Sequence, residues 1–291
     1  MSLLGYILGA KGQLEVTNTL EDLGRVAREF KAKNVSLLAI NGGDGTICRT
    51  LTAFIKEYGE TGTPLPQVAL LRGGTINVLA NNLGIKGSPE QVLYRLVDWY
   101  SSGRDLPFRT MHTLEVEGSY GFLFGNGVAA TFLKEYYKRK TGPFGAFLWV
   151  MSVYFSRFFG GGLYGRVVQD QIQTLIADDA APLSHTTCAV FCATVERLPL
   201  GYPLFAALKS RRECFQTVSF TFSANDAIWQ LPVTMLKRQD GSTTGKLSFC
   251  CHQLVIEADR PFDYTLDGEL YVSRTNRLTV GMGPDLEFVT I

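Results

Sequence analysis

The chain has 291 residues, 46% hydrophobic and 19% charged, enough for one large domain or two ordinary ones. Its 28 basic and 27 acidic residues leave a formal charge of +1. No global basic field draws it to DNA or RNA, so no nucleic-acid partner is expected. The six cysteines form no CxxC pair and the three histidines are scattered, which excludes zinc-ligand spacing. "MSLLGYILGAKG" lacks a basic start and a long apolar core, so reduced thiols in a cytoplasmic protein are expected.

Taken in order, "NTLEDLGRVAREFKAK" predicts a helix with Asn18 or Thr19 at its N-cap and Leu20, Leu23, Val26, Ala27 and Phe30 at helical spacing. "VSLLAI" (Val35 to Ile40) reads as a buried strand. After a glycine turn, Ile47, Leu51, Phe54, Ile55 and Tyr58 share one helix face. "PQVALL" (Pro66 to Leu71) is a second strand, and "INVLANNLGI" opens another helix. "SPEQVLYRLVDWY" is a capped helix with Ser88 at N-cap and Pro89 at N1. Strands alternating with helices predict a parallel α/β domain over residues 1–105.

Residues 106–291 read mostly as antiparallel β, with strands in "TLEVEG", "YGFLFGNG", "TTCAVFCATV", "QTVSFTFS", "KLSFCCHQLVIEA" and "NRLTVGM". The last of these strands could return to the first domain. A helix is expected over Thr131 to Phe159. Within it, the uninterrupted apolar run Phe144 to Phe155 is shorter than the ~20 residues of a membrane span. It suits a buried core helix or contact with an acyl chain or bilayer surface. The basic clusters "LKEYYKRK" and "KSRR" fit either a solvated face or anionic headgroups.

The chemistry concentrates in two loops. "NGGDGT" (Asn41 to Thr46) joins a strand to a helix through glycines, which places free amide N–H groups at a helix N-terminus, an anion site. Gly42, Gly43 and Gly45 let backbone approach phosphate oxygens, Asn41 adds an amide and Thr46 a hydroxyl. Asp44 fits either as a ligand to a cation such as Mg²⁺ bridged to phosphate or as a brace accepting amide hydrogens. "LLRGGTINVLANNLGI" repeats the design with Arg72, Gly73, Gly74, Thr75 and Asn77. Gly43 and Gly74 lie 31 residues apart, one βαβ crossover, which brings both loops to the carboxyl edge of neighbouring strands. Two such loops suggest a polyphosphate, with Arg72 as a fork for it. The pattern fits neither GxxxxGK[ST] nor GxGxxG.

These motifs resemble the diacylglycerol kinase catalytic-domain family, which includes bacterial lipid kinases, sphingosine kinases and ceramide kinase. "NGGDGT" and "LLRGGTINVLANNLGI" match its GGDGT and P-x-GT-x-N-x-[FL]-A segments, and "FDYTLDGELY" (Phe262 to Tyr271) resembles its late [LV]-DGE. The resemblance implies an NAD-kinase-like α/β nucleotide-binding domain followed by a β-sandwich, with ATP and Mg²⁺ in the cleft between them. It implies transfer of the γ-phosphoryl group to a lipid hydroxyl, with transient contact to a membrane surface. Asp44 would help hold magnesium, Asp267 or Glu269 would supply the base, and Thr17 matches a position that touches nucleotide. Without the family, "LDG" is equally a plain β-turn.

The chain departs from the family in three places. No N-P-x-[SG]-G loop precedes residue 42, where "LLGYILGAKG" stands. "GNGVAATF" lacks the family's aspartate, and "PLGYPLFAALKSRRECFQTV" replaces a metal-associated segment. A kinase of a soluble substrate and a silent nucleotide- or lipid-binding relative are the alternative functions.

Overall fold

The computed structural model describes residues 3–138, 152–153, 155–156, 162–169, 171–178, 180–198, 203–209, 213–221, 223, 226 and 245–291. They fall into two compact units, Met1–Thr113 with Gly118–Gly121 and Gly283–Ile291, and Leu114–Glu117 with Phe122–Met282.

In the first unit, caps and apolar spacing set the helices. A short helix α1 (Leu3–Leu8) and a 3-10 turn at Gly9–Lys11 stand where the sequence has "LLGYILGAKG" in place of the family's glycine loop. Helix α2 (Leu20–Ala32) starts at Thr19, whose hydroxyl accepts the Asp22 N–H at 3.0 Å while the Asp22 carboxylate accepts the Thr19 N–H at 3.0 Å. Such reciprocal capping satisfies two orphan donors. Strand β1 (Leu37–Ile40) leads into α3 (Asp44–Gly59), and β2 (Gln67–Leu70) into α4 (Val78–Asn82). Helix α5 (Pro89–Ser101) has Ser88 as its cap and Pro89 at its first position.

The predicted face of α3 is the buried one: Ile47, Leu51, Phe54, Ile55 and Tyr58 are all in the core. Phe54 meets Phe30 of α2 edge-on at 6.1 Å and stacks on Tyr58 at 5.8 Å. Burying one such ring stabilises the unit by about 2–3 kcal/mol. Strands β1 and β2 pair in parallel, Leu37 opposite Gln67 and Ile40 opposite Leu70. This parallel register puts both strand-to-helix loops at one end of the strands, as the crossover spacing requires.

Strand β3 (Phe108–Val116) passes from the first unit to the second, and β4 (Ser119–Gly121) belongs to the first. The second unit continues with β5 (Leu123–Asn126), α6 (Val128–Tyr137) and α7 (Leu163–Val167). Then come β6 (Gln171–Ala177), β7 (Leu183–Thr187), β8 (Ala189–Ala193), β9 (Phe215–Phe220) and β10 (Lys246–Cys251). The chain ends with β11 (Gln253–Ala258), β12 (Asp263–Leu266), β13 (Glu269–Val272) and β14 (Arg277–Val289). One antiparallel set pairs β6 with β7 and β11, and β11 with the start of β14. The other runs β10-β9-β8-β5-β12-β13. The end of β14 lies in the first unit, where Phe288 pairs in parallel with Val68 of β2. The fold is thus α/β followed by antiparallel β.

Two sequence expectations change. "TTCAVFCATV" is not one strand: β7 pairs with β6, and β8 pairs with β5 and β9, so the chain changes sheet at Cys188. The Thr187 hydroxyl, donated toward the Ala189 and Phe220 carbonyls, holds that crossing. The helix expected from Thr131 begins at Val128, because Gly127 at φ 60 serves as its N-cap. Most of the apolar run Phe144 to Phe155 lies outside the described residues. Among those described, no helix is long and apolar enough to cross a membrane.

Candidate functional site

The first glycine loop leaves β1 at Ile40 and enters α3 through Gly43, which takes the N-cap position in extended conformation and has no side chain to cap with. The N-terminus of this 16-residue helix therefore has no side-chain cap from its N-cap residue. Its first amides, together with the helix dipole, make a site for negative charge. Thr46 stands exposed in the first turn and Asn41 is exposed just before it. A Cβ on Gly42 would come closer than 3.0 Å to the Thr46 side chain, so the loop needs glycine there for packing alone.

The second loop leaves β2 and turns through two left-handed residues, Arg72 at φ 61 and Asn77 at φ 52. Asn77 is buried, and its side chain closes on the loop: Oδ1 accepts the Gly74 N–H at 3.1 Å and Nδ2 donates to the Gly74 carbonyl at 2.6 Å. Asn77 occupies the N-cap of α4 but does not cap it. Asp44 does so from the first loop: Oδ2 accepts the Val78 N–H at 3.1 Å and Oδ1 accepts the Leu79 N–H at 3.3 Å.

The glycines lock the loops together. A Cβ on Gly74 would fall closer than 3.0 Å to the Gly43 Cα, and one on Gly73 closer than 3.0 Å to Asn41 Oδ1 and the Gly42 N. Backbone touches backbone there, which only glycine allows. Burial pushes the Asp44 pKa above the usual carboxylate value, against the opposing pull of the Val78, Leu79, Asp44 and Asn77 backbone amides. Arg72 does not point a free fork outward: Nη1 donates to Asn81 Oδ1 at 2.7 Å and to the Ile85 carbonyl, tying the loop to the end of α4. Thr75 and Gly73 are exposed on the loop's outer side. Gly45 and Thr46 lie in the first turn of α3, and Thr17 lines a cavity of about 420 Å³ together with Asn41 and Thr46.

In the second unit, Asp267 and Gly268 form the two-residue turn between β12 and β13, with Leu266 opposite Glu269 and φ of 48 and 86. Both angles positive is the hairpin geometry that Asp-Gly favours. The Asp267 carboxylate accepts amide hydrogens from Leu123 at 2.9 Å and Phe122 at 3.0 Å, and its own N–H donates to the Leu123 carbonyl at 2.9 Å. Helix α6 holds the same hairpin through Tyr137, whose hydroxyl donates to the Gly268 carbonyl at 2.7 Å, and Lys134, which pairs with Asp263 at 2.7 Å. Glu269 opens β13, half-buried. The turn reading of "LDG" is therefore correct in structure, and it fixes where Glu269 stands.

Two features were invisible in the sequence. The α4 amides that receive Asp44 lie 34 and 35 residues away from it. Asn126, in the "GNG" segment, is fully buried and accepts the Val190 N–H at 2.9 Å while donating to Gln173 at 3.3 Å. It ties β5 to β8 of its own sheet and to β6 of the other sheet, which explains an asparagine in that apolar run.

Among the described residues no group of three or more His, Cys, Asp or Glu side chains could hold a metal ion by itself. Magnesium commonly needs only one or two carboxylates beside phosphate and water. An ionised carboxylate has about four lone-pair sites; the Val78 and Leu79 amides take two on Asp44, and the Asp44 and Asn77 amides also bear on it. The loop thus fits an Mg²⁺ ion carried chiefly by a polyphosphate, with Asp44 as no more than one further ligand.

Residues 7–105 match the family model described as the diacylglycerol kinase catalytic domain. No curated protein sequence matches the chain. Among solved structures it is similar to a diacylglycerol kinase from Bacillus anthracis strain Sterne. The identity is 13% and the TM-score 0.65, over 96% of this chain and 84% of that one. It also aligns with an NAD kinase from Archaeoglobus fulgidus in complex with ATP, at 11% identity and a TM-score of 0.45, over 94% of this chain and 90% of that one. The first of these likenesses shows the fold.

Proposed function

We propose that this chain, whose residues 7–105 match the diacylglycerol kinase catalytic-domain model, is an ATP-dependent lipid kinase. The observation that carries the reading is the interlock of two glycine loops. Gly43 and Gly74 meet backbone to backbone, and Asp44 crosses from one loop to the helix start of the other. Nothing in ordinary strand-to-helix connection requires that arrangement twice, whereas a triphosphate needs amides converging from two sides.

In the proposed reaction the α3 amides, Asn41 and Thr46 cradle phosphate oxygens, with Gly73 and Thr75 supplying amides from the second loop, whose Gly74 amide is held by Asn77. Asp44 would help hold Mg²⁺, which when bound would supply neutralisation of charge on the phosphates. The acceptor hydroxyl attacks the γ-phosphorus, ADP leaves, and the hydroxyl proton passes to a carboxylate. We assign that base to Glu269. Asp267 has its oxygens committed to the Phe122 and Leu123 amides and holds the hairpin in register.

The lipid class is supported by the family match and by the apolar run Phe144 to Phe155 in the sequence. Peripheral contact with a membrane surface goes with it. ATP titration with Mg²⁺ and phosphate transfer into vesicles containing diacylglycerol, a sphingoid base and ceramide tests the proposal. A phosphorylated lipid supports it. ATP binding without transfer to any lipid or soluble alcohol refutes it in favour of a silent binding relative.

A further inference from the structure

Strand β1 is the terminal strand of its sheet: β2 lies on one side, and no strand among the described residues pairs with the other. The Ser36 and Ile40 carbonyls accept from Gln67 and Leu71. Carbonyls and amides alternate sides along a strand, so those of Leu38 also face β2, while both amides and both carbonyls of Leu37 and Ala39 face the open edge. A second stretch of unpaired backbone lies close by. Gln13 to Thr17 belongs to neither helix nor strand, and its amides and carbonyls make no hydrogen bond among the described residues. Its side chains nevertheless alternate as a strand's do. Gln13 bonds Glu29 at 2.7 Å and Lys33 at 2.6 Å, and Glu15 pairs with Arg25 at 3.5 Å. Leu14 and Val16, out of phase with them, are 47% and 74% exposed.

The cavity of about 420 Å³ touches both stretches: Gln13, Leu14, Glu15 and Thr17 line it, and so does every residue from Asn34 to Asn41. Apolar helix side chains supply most of its other walls, among them Val26 and Phe30 of α2, Leu93 and Leu96 of α5 and Leu8 of α1. We propose that this slot takes in an extended, Val- and Ile-rich segment of a partner protein, added as a strand to the free edge of β1. Such a site serves an interaction and does not depend on the kinase reading above.

The backbone chemistry selects the occupant. Two donors and two acceptors in strand register, on β1 alone, are what an added strand pairs with. An occupant between two open stretches also needs hydrogen-bonding groups on both of its sides, and a polypeptide strand repeats donor and acceptor along each side. An acyl chain offers neither. The same kind of ladder already joins β1 to β2, so the added strand continues an existing sheet. The walls select its sequence. The helices lining the slot form two pairs, α2 with α3 and α1 with α5. A strand among such apolar helices is covered on both faces, and strands covered on both faces read as unbroken Val, Ile and Leu runs. Gln13 to Thr17 does not fill the place itself, because Gln13 and Glu15 are held to α2 and its end.

The probe is a fluorescent peptide, Lys-Val-Ile-Val-Ile-Val-Lys, titrated by anisotropy into the full chain. A control peptide N-methylated at every Val and Ile keeps the side chains and loses the donors. The first peptide is expected to bind at least tenfold more tightly than the second. Amide hydrogen exchange locates the site: bound peptide should slow exchange at Leu37, Ala39 and within Gln13 to Thr17 by tenfold or more. In Ala39→Pro the proline removes one edge donor and no ladder bond, so peptide affinity should fall at least tenfold. Should that variant fold poorly, the two peptides and the exchange on wild type carry the test. No binding of the first peptide, equal binding of both, or protection that spares Leu37 and Ala39 overturns the strand slot. Protection of these two amides that grows with protein concentration, with no peptide present, overturns a foreign strand in favour of a second copy of this chain. Protection by ATP alone that also displaces the peptide overturns it in favour of nucleotide.

Discussion

Replacing Gly74 with alanine probes the contact between the two glycine loops. The added Cβ would sit 3.1 Å from the Gly43 N, 3.0 Å from Asn77 Oδ1, and closer than 3.0 Å to the Gly43 Cα. Carbon atoms prefer a separation of about 3.5–4.0 Å, so the loops must part by a large fraction of an ångström or more. The two Gly43 atoms are backbone and cannot rotate away. Overpacking of this kind costs about 1–3 kcal/mol, which at roughly 2–4 °C per kcal/mol lowers the melting temperature by about 2–12 °C. The consequence for binding follows from Asp44. Its bonds to the Val78 and Leu79 amides are already 3.1 and 3.3 Å long, so a shift of a few tenths takes them past hydrogen-bonding range. The second loop then loses its fixed position, and ATP affinity should fall at least tenfold, equivalent to ~1.4 kcal/mol. Differential scanning calorimetry and ATP titration measure the two effects. Gly59→Ala is the control: a Cβ there meets nothing within 4 Å, and the change in a helix should be neutral or stabilising by about 0.5–1 kcal/mol. If Gly74→Ala matches wild type in both stability and affinity, the loops are not held by backbone contact and the reasoning is wrong.

The two carboxylates of the β12–β13 hairpin should separate by assay. Glu269→Gln is expected to lower kcat roughly 10²–10⁴-fold with melting temperature unchanged. Asp267→Asn instead places an amide donor or a single acceptor against the Phe122 and Leu123 N–H groups, and urea unfolding should show a loss of about 1–3 kcal/mol. Equal stability of Asp267→Asn and wild type would remove its role as a brace. Because folding raises the Asp44 pKa above its unfolded value, the stability it contributes is complete below that unfolded value and is lost as pH rises through the folded one. The unfolding free energy of wild type minus that of Asp44→Asn, followed from about pH 3 to about pH 7, should therefore decline with pH; a rise would mean the amides outweigh burial. Thr19→Ala should cost about 0.5–2 kcal/mol in thermal or urea unfolding through loss of the α2 cap, and no loss would place the helix start elsewhere.

Much of the first unit was legible because local chemistry decides it. Thr19 and Ser88 cap helices where S/T-x-x-[DEQ] patterns place caps, and the apolar spacing of α3 matches its buried face residue by residue. The identity of the loop residues was legible, but their division of labour was not. Spacing shows that Gly43 and Gly74 can approach, yet not that they touch, because contact depends on the parallel register of β1 and β2. Likewise Asp44 could be assigned to a cation or to a brace, and the Val78 and Leu79 amides show that it at least braces. Arg72 was read as a phosphate fork from its residue type alone; its left-handed backbone turns it to Asn81 and Ile85 instead. In the second unit, the β7–β8 run hid a change of sheet at Cys188, since no glycine, proline or other turn residue separates the polar end of β7 from the apolar β8 and only a hydroxyl at Thr187 marks the crossing.

The most direct test is transfer of radiolabelled γ-phosphate from ATP with Mg²⁺ into mixed-lipid vesicles, with Glu269→Gln in parallel. A labelled lipid formed by wild type and absent from the variant is the predicted result, and it identifies the acceptor at the same time. Measurable ATP binding with no labelled lipid, or equal labelling by the variant, would contradict a lipid kinase that uses Glu269 as its base.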